Sequence, residues 1–520
     1  MFRFFKKKPM RKKPIKPKPM RKRPIKPKVV PKRVAPIKGD GIKALFEPMG
    51  VVIVGASGAR AGTAPALFRS AVDNMSRTYK GKTYIIDLSG KMEGAFKDVK
   101  KVRGKVELAV LALPQDLALK NVKKVADAGV RAMVVSPSYG QEQRRELLGA
   151  KKQGVRILGP NSAMGVINTR TGLCTSLERE MMPKQGGIAI VSQSNSIGAA
   201  VLDLACLHGI GISKFVSLGD KMDVDEAELI NYLSNDNGTR VICVGIGDVR
   251  EGRKFVDALR AAAEKKPVVV LRAGIARLED KIYDAAFKQA RAIRVRDVEE
   301  MLDAANALAK QPPMAGDKIV IISNAHGPAV LAADAVHREG LTLSKLDEKT
   351  VRGISQRYTG IDVANPIELG MEASAKQYEL VLKNVLADTN VDGVMVINML
   401  KSSLLNVDDV RVIAEVLKKF KKPVVDVAMG GESYALVRDV LKDTNVPAYD
   451  SPERASRALK ALRMYGRVKE RSKIPPVSKA TKKPKLRESV EDNFHALSSK
   501  KFSTTSFSYY FPIFSYYGSS

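Results

Sequence analysis

The sequence predicts an α/β protein with three consecutive α/β units between residues 41 and 466. Short apolar runs typical of buried strands alternate with helical stretches, a pattern that favours parallel sheets. A polar or glycine-rich turn follows one strand in each unit, at Gly55–Gly58, Ser192–Ser194 and Ser323–Pro328. Segments without this pattern, rich in lysine and proline or in serine and aromatic residues, lie at both ends.

The net charge of +34 lies mostly in the two ends of the chain. Residues 1–40 hold 17 Lys and Arg with one acid, 467–487 hold nine basic residues with one acid, and 488–520 have a net charge of −1, which leaves +11 for 41–466. We predict that 1–40 and 467–520 are disordered tails. A passive role and weak contacts with a polyanion are both open for the basic segments, and the Ser/aromatic end could stack on nucleic-acid bases or have no role.

The cysteines and histidines are scattered. Cys174, Cys206 and Cys243 show neither metal-ligand spacing nor a disulfide framework, so we expect no metal site and a reducing, cytoplasmic setting. We find no apolar run that is long enough to span a bilayer, and the basic start lacks the sustained apolar segment of a secretory signal.

The first unit, 41–180, has the alternating pattern of a Rossmann-like parallel sheet. Its predicted strands are Val51–Val54, Thr83–Ile86, Leu108–Ala112, Ala132–Val135 and Val155–Leu158. The turn Gly55–Gly58 joins the first strand to a helix, but the strict GxGxxG spacing is absent. A dinucleotide fingerprint is therefore not supported.

The second unit, 181–312, begins with a buried strand, a polar turn and a helix in Gly187–Ala200. Its predicted strands are Ile188–Val191, Phe215–Ser217, Val241–Gly245, Val268–Leu271 and Ile293–Val295. The turn at Ser192, Gln193 and Ser194 aims backbone N–H groups and the positive end of a helix at one point, which suits phosphate. Because every doubly wound fold contains such turns, phosphate binding and a purely structural role are both open.

The third unit, 317–466, follows a Pro/Gly-rich linker. Its predicted strands are Lys318–Ile322, Gly393–Ile397 and Val424–Val427, and its predicted helices include Ala329–Arg338 and Pro452–Arg463. All three units thus place a polar turn at the carboxyl end of a strand, the edge at which ligands bind in open α/β sheets.

Several stretches taken together identify a family. They are VVIVGASG (51–58), VRILGPNSAMGVINTRTGL (155–173), GGIAIVSQSNSIGAAVLDLA (186–205), GISKFVSLGDKMDVDEAELINYL (211–233), EGRKFVDALRAAAEKKPVVVLRAG (251–274), IYDAAFKQA (282–290), SNAHGPAVLAADA (323–335) and ANPIEL (364–369). With them, residues 44–465 resemble the α chain of NDP-forming (ADP-forming) acyl-CoA synthetases, the acetate–CoA ligase group related to succinyl-CoA synthetase. The resemblance implies a Rossmann-like CoA-binding domain followed by two flavodoxin-like domains of the succinyl-CoA synthetase type.

The resemblance also implies a reaction, in which acyl-CoA, ADP and phosphate are interconverted with acid, CoA and ATP. CoA or acyl-CoA would be bound by Gly55, Ala56, Ser57, Gly58, Pro160, Asn161 and Ser162. Phosphate would be bound by Ser192, Gln193, Ser194, Asn324, Ala325 and Gly327. ADP or ATP with Mg would belong to an ATP-grasp module, which no segment here resembles, so a separate β chain would supply it in an α/β hetero-oligomer.

The sequence departs from the family where a histidine carries the phosphoryl group. The family has a long Ser-His-Thr-Gly loop after the strand like Val268–Leu271, whereas here only Ile275–Ile282, without histidine, lead to the helix at Tyr283. Gly247 stands where the family has an orienting glutamate, and Asp248 lies one position along. We therefore predict a family member whose phosphohistidine relay is impaired.

Two further departures change the turns. Asn195 and His326 each stand where glycine is usual. His326 is either a substitute nucleophile or a histidine that caps the turn, and with Asp248 it is one of two weak catalytic candidates. The open functions are an impaired ligase α chain, a non-catalytic CoA-responsive scaffold or regulatory partner, and a binding protein tethered to nucleic acid by its tails.

Overall fold

Three mostly parallel sheets follow one another along the chain in a computed structural model, and helices cover the faces of each sheet. The structure describes residues 40–58, 64–178, 181–274, 277–358, 361–401 and 405–472. This architecture confirms the predicted α/β class. The predicted tails lie outside the described residues, apart from Asp40 and 467–472.

The first sheet is doubly wound, with the strand order β2-β1-β3-β4-β5 and all strands parallel. Its strands are β1 (Gly50–Gly55), β2 (Lys82–Asp87), β3 (Leu108–Ala112), β4 (Ala132–Val135) and β5 (Arg156–Leu158). The helices are α1 (Gly41–Phe46), α2 (Ala64–Thr78), α3 (Gln115–Ala126) and α4 (Gln141–Lys152), with a 3₁₀ turn at Val99–Val102. Every residue of β1, β3 and β4 is buried, as expected of Val/Ile/Leu-rich strands covered on both faces.

The second sheet has the order β12-β11-β10-β8-β9-β6-β7. Its strands are β6 (Val166–Asn168), β7 (Leu173–Cys174), β8 (Gln185–Ser192), β9 (Ile212–Ser217), β10 (Val241–Ile246), β11 (Val268–Arg272) and β12 (Ile293–Val295). Its helices are α5 (Asn195–Leu207), α6 (Glu226–Asn235), α7 (Gly252–Lys265), α8 (Arg277–Ala290) and α9 (Val298–Lys310). The antiparallel strands β6 and β7 lie inside the predicted first domain, yet β6 pairs with β9, Val166 opposite Val216.

The third sheet has the order β14-β13-β16-β17-β18, with β15 pairing to the end of β13. Its strands are β13 (Lys318–Ser323), β14 (Thr342–Leu343), β15 (Ile367–Glu368), β16 (Gly393–Ile397), β17 (Val424–Val427) and β18 (Ala448–Tyr449). Its helices are α10 (His326–Arg338), α11 (Glu348–Ser355), α12 (Ala375–Ala387), α13 (Val410–Leu417), α14 (Gly431–Leu441) and α15 (Pro452–Ser472). Helix α15 thus continues beyond the predicted domain end at 466.

The domains share their apolar cores. One continuous core joins the first sheet to the second, and another joins the second domain to the third, where α9 packs against α15. Arg454 of α15 donates two hydrogen bonds of 2.8 Å to Asp303 of α9, and both side chains are buried. Arg156 of β5 likewise pairs with Asp223 and Glu228 of the second domain. Adjacent domains are therefore held by buried apolar surface together with oriented charge pairs.

Two general features of the described residues bear on function. Their helices include none with the length and apolarity needed to cross a membrane. Among the same residues, no three His, Cys, Asp or Glu side chains are placed to hold a metal ion.

Candidate functional site

The three polar turns follow strands in the interior of their sheets, at the carboxyl ends. The turn 55–58 follows β1, the turn 192–194 follows β8, and the turn 324–327 follows β13. Helix α5 begins directly after the second turn and α10 begins inside the third. The predicted site residues therefore lie at the edges where open α/β sheets bind ligands.

The first turn is organised by Asp87, a fully buried carboxylate at the end of β2. The Ser57 amide and hydroxyl donate to it at 2.9 and 2.6 Å, and the Ser89 amide and hydroxyl donate at 3.1 and 2.7 Å. The amides of Lys91 and Met92 also donate to Asp87. Burial raises the pKa of Asp87, but these hydrogen bonds, with Ser57 and Ser89 foremost, outweigh burial and hold the pKa well below its usual range.

The fixed turn leaves an exposed cationic rim. The amides of Ser57 and Gly58 are already bonded, to Asp87 and to the Ser89 hydroxyl, so they are not free to cradle a phosphate. Lys91 crosses the turn so closely that a Cβ at Gly58 would lie 2.6 Å from Lys91 Cδ. Arg69 reaches the Ser57 carbonyl, and neither cation forms an ion pair with an acidic side chain of the described residues. The rim therefore suits the phosphates of an anionic nucleotide such as CoA.

The predicted residues 160–162 connect the first domain to the second. Ser162 is buried and donates to the Ser217 carbonyl at 2.6 Å. Asn195, the first residue of α5, donates to the Asn161 carbonyl at 2.8 Å and accepts a hydrogen bond from the Ser217 hydroxyl at 2.7 Å. Asn195 also accepts from the Met164 amide at 3.2 Å. The structure thus brings together residues predicted for CoA and the turn predicted for phosphate, and it gives Asn195 a bridging role that a glycine would lack.

The second turn borders a cavity of about 230 Å³. Ser192 donates to the Ser194 carbonyl at 2.7 Å, and the Ser194 hydroxyl accepts from the Ile197 amide, which caps α5. The amides of Asn195 and Ser196, in the first turn of the helix, have no intrahelical acceptor. The other walls come from Gly245–Gly247 at the end of β10 and from Leu271 and Ala273 at the end of β11. The Ser192 hydroxyl proton is used within the turn, whereas the Ser194 hydroxyl still has a proton to donate, so a small oxyanion fits this combination of space, one hydroxyl and a helix N-terminus.

Gln193 fixes the opposite wall of the cavity. Its side-chain oxygen accepts hydrogen bonds from the amides of Gly247 and Asp248 at 2.8 and 3.2 Å, and its amide nitrogen donates to the Asp248 carboxylate. Buried Lys221 donates to the Asp248 carbonyl at 2.6 Å. Desolvation raises the pKa of Asp248, but the Lys221 charge and the Gln193 hydrogen bond outweigh it and lower the pKa. Asp248 is therefore held outside the cavity lining.

Position 247 does face the cavity. A Cβ on Gly247 would lie 3.6 Å from Gln193 Oε1 and 3.9 Å from the Ala273 carbonyl, both ordinary contacts with groups that line it. A side chain at 247 would thus enter the space that Asp248, one residue along, does not reach, as expected when consecutive strand-end residues point apart.

The link after β11 is shorter than the sequence predicts. The strand ends at Arg272 and α8 begins at Arg277, so residues 273–276 alone join them, and Ile275 and Ala276 lie outside the described residues. The helix therefore begins before the predicted start at Tyr283. An apolar stripe on the core is formed by Tyr283, Ala286, Phe287 and Ala290, and the residues before Tyr283 are good helix formers that add turns at the N-terminal end.

The third turn uses its predicted phosphate ligands partly for its own structure. Buried Asn324 bonds through its side chain to the amide and carbonyl of Met399, at 2.9 and 3.2 Å. The Ala325 amide donates to the Ser323 hydroxyl, whereas a Cβ at Gly327 would meet nothing within 4 Å. Within the described part of the chain, no hydrogen bond or ion pair joins this turn to the turn at 192–194, so no polar contact links the two halves of the predicted phosphate site.

His326 and Glu368 form a pair at this third turn. The Nδ1 atom of His326 donates to Glu368 Oε1 at 2.7 Å, and the His326 side chain is 77% exposed. The sequence interpretation missed Glu368, as it missed Asp87. Both acids end a short apolar strand run, IIDL for Asp87 and PIEL for Glu368, and this position at the ligand edge was the available signal.

Comparison with known proteins gives relatives that agree with one another. A family model described as a succinyl-CoA ligase-like flavodoxin domain matches residues 185–308. The chain is 30% identical over 469 residues to the α subunit of an ADP-forming acetate–CoA ligase, isoform I, of Pyrococcus furiosus, covering 83% of this chain and 99% of that subunit. A crystal structure from Pyrococcus horikoshii shares 30% identity with a TM-score of 0.76, covering 82% of this chain and 99% of that chain.

A second similar protein has a solved structure that contains ligands. The dinucleotide-forming acetyl-coenzyme A synthetase 1 of Candidatus Korarchaeum cryptofilum, in complex with phosphate and ADP, is 27% identical with a TM-score of 0.75. The match covers 82% of this chain and 97% of that chain. The similarity therefore spans all three domains in their order along the chain.

Proposed function

Because the chain belongs to the family of α subunits of ADP-forming acetate–CoA ligases, as its motifs predict, we propose that it binds CoA or acyl-CoA and phosphate at adjacent edges of its first two sheets. The cationic rim at Gly55–Gly58 would hold the CoA phosphates, and the cavity at Ser192–Ser194 would hold inorganic phosphate. The Asn195 bridge, which ties the loop 160–164 to the start of α5, carries this proposal.

The first chemical step would be phosphorolysis of the thioester. A phosphate oxygen held by the amides at the start of α5 attacks the acyl carbonyl carbon, the C–S bond breaks, and CoA leaves as its thiolate. Such a step relies on positioning and on preorganised donors, because backbone N–H groups stabilise the negative charge without a resident cation. The product is an acyl phosphate beside the cavity.

Transfer of the phosphoryl group to ADP is the step that we propose is impaired. A carrier loop after β11 would need length and a nucleophile, whereas 273–276 are four residues without histidine. The position that faces the cavity, 247, is a glycine and cannot orient an imidazole. ADP and Mg would be bound by a β partner of the ATP-grasp class; the existence of a partner is supported by the relative's name, which calls it an α subunit. Three unpaired cysteines are consistent with a reducing, cytoplasmic setting for this assembly.

Calorimetric titration of the full chain with CoA and with acetyl-CoA tests the binding part. We expect saturable binding, weakened in Arg69→Gln, which removes a charge of the rim, and unchanged in Lys383→Gln, which lies on α12 of the third domain. Absence of binding at millimolar ligand would refute the proposal.

Release of free thiol from acetyl-CoA on addition of phosphate tests the first step, and ATP formation with the β chain tests the second. We expect phosphate-dependent thiol release with little or no ATP. A non-catalytic, CoA-responsive scaffold is the second candidate, favoured by the short link after β11; it binds CoA but releases no thiol. Efficient ATP formation would contradict the proposed impairment.

A further inference from the structure

His326 and Glu368 form a histidine–carboxylate pair that the proposed first step does not use. The Nδ1–Oε1 distance is 2.7 Å, the imidazole is 77% exposed, and the Glu368 side chain is about one-third exposed. The pair lies at the carboxyl edge of the third sheet, and neither residue lines the cavity at Ser192–Ser194.

Regular structure fixes both members of the pair. Glu368 ends β15, which is in register with β13 so that Glu368 lies opposite Ser323, and the Leu369 amide donates to the Ser323 carbonyl at 2.8 Å. His326 is the first residue of α10, and the Ala325 amide before it donates to the Ser323 hydroxyl at 3.1 Å. Both side chains are thus positioned from the same strand end, which restrains the ring relative to the carboxylate.

The geometry selects one nitrogen of the ring as a nucleophile. A carboxylate accepts hydrogen bonds, so Nδ1 carries the proton and the lone pair is on Nε2. Gly327 beside it borders open space, and Val330, one helical turn further, is exposed on the same face, so Nε2 is open to a ligand. An imidazole oriented at one nitrogen and free at the other is the arrangement that activates histidine for covalent catalysis.

We propose that His326 Nε2 accepts a phosphoryl group from an acyl phosphate, with Glu368 as its positioning residue. The Nε2 lone pair forms a bond to phosphorus as the P–O bond to the acyl oxygen breaks, and the carboxylate leaves with the electron pair. The Nδ1 proton stays on the ring, which becomes positively charged and is stabilised by Glu368. This proposal rests on the proposed function in one respect, because the proposed first step is the source of the acyl phosphate.

The proposed site is stationary, unlike a carrier loop. Because the ring belongs to the first turn of a 13-residue helix, the phosphoryl group would remain at this edge, where the helix N-terminus favours an anion. Any acceptor of the group must therefore come to His326.

Incubation of the full chain with ³²P-labelled acetyl phosphate tests the proposal without CoA. We expect an acid-labile, alkali-stable label that peptide mass spectrometry locates at His326. His326→Asn is expected to abolish this label, while His337→Asn, an exposed histidine on the same helix, is expected to keep it. Glu368→Gln is expected to slow labelling by about tenfold or more, by analogy with the loss found when a metal-binding histidine loses its orienting carboxylate.

The tautomer of the His326 ring shows whether Glu368 orients the ring or only stabilises the fold. In ¹⁵N NMR spectra, His326 is expected to show a protonated Nδ1 in the native protein and a mixture of tautomers in Glu368→Gln, with the melting temperature unchanged. Absence of label, an equal rate in His326→Asn, or an equal rate in Glu368→Gln would overturn the proposal. If the chain does not bind CoA but His326 is labelled, the proposed function is refuted and the proposal for His326 is supported.

Discussion

A carboxylate placed at position 247 tests directly whether the cavity beside Ser192–Ser194 binds phosphate. The Cβ of Gly247→Glu meets Gln193 and Ala273 at 3.6 and 3.9 Å, so the backbone accepts the side chain without displacement. A glutamate carboxylate in a cavity of about 230 Å³ would lie on the order of 5 Å from a bound phosphate. The isosteric variant Gly247→Gln has the same shape without the charge.

The expected penalty follows from Coulomb repulsion. Two unit charges about 5 Å apart repel by roughly 0.8 kcal/mol at the dielectric constant of water and by about 3 kcal/mol at an effective value near 20. Because the cavity opens to solvent, we expect about 1–2 kcal/mol, a roughly 5- to 30-fold weaker phosphate affinity than in Gly247→Gln. The difference should shrink at high salt.

Calorimetric titration with inorganic phosphate at two ionic strengths measures this effect. Equal affinity of Gly247→Glu and Gly247→Gln would place the phosphate elsewhere and refute the assignment of the cavity. Similar melting temperatures of the two variants would establish that the comparison reports charge and not folding.

Three further outcomes are expected. Asp87→Asn should lower the free energy of unfolding by about 3 kcal/mol in urea melts, because a carboxylate that accepts six hydrogen bonds is replaced. In the native chain, the stabilisation by ionised Asp87 is present at neutral pH and is lost as the pH falls below 3.8 towards the lowered pKa. Asn195→Gly should weaken CoA binding several-fold in calorimetry, with about 2 kcal/mol lower stability, as the domain bridge is lost. Burial raises the pKa of Asp426 from 3.8 to about 8, so folding takes up a proton between these values and stability falls as the pH rises through that window. Urea melts at several pH values should show that Asp426→Asn removes this slope, and a parallel slope in both proteins would contradict it.

Local sequence was sufficient for the central strands of the sheets and for the turns that follow them. The β1, β3 and β4 runs are apolar enough to be recognised without any partner, and the polar turn after each central strand marks the ligand edge. Strands β6 and β7 were missed because they have three and two residues, and the pairing of Val166 with Val216 joins positions that no local pattern connects.

The parts of the site that escaped prediction are side-chain pairings across long intervals. Ser57 with Asp87, Asn195 with Asn161, and His326 with Glu368 are separated by 30, 34 and 42 positions. Which donor meets which acceptor depends on the register of neighbouring strands, and a one-residue shift would turn each partner away. The residue types and their places at strand ends were readable, whereas their pairing required the fold.

The packing of α15 on α9 also affects how the protein is made. During synthesis, domains usually fold as units from the N-terminus onwards. Here the second domain leaves the ribosome with an uncovered face of α9, the face that carries Asp303, because its cover is α15, the last described helix of the chain. The nascent second domain therefore stays incomplete until the third has been translated. Chaperone dependence should concentrate in this interval, and ribosome-bound chains that end before Pro452 should be the species most susceptible to proteolysis.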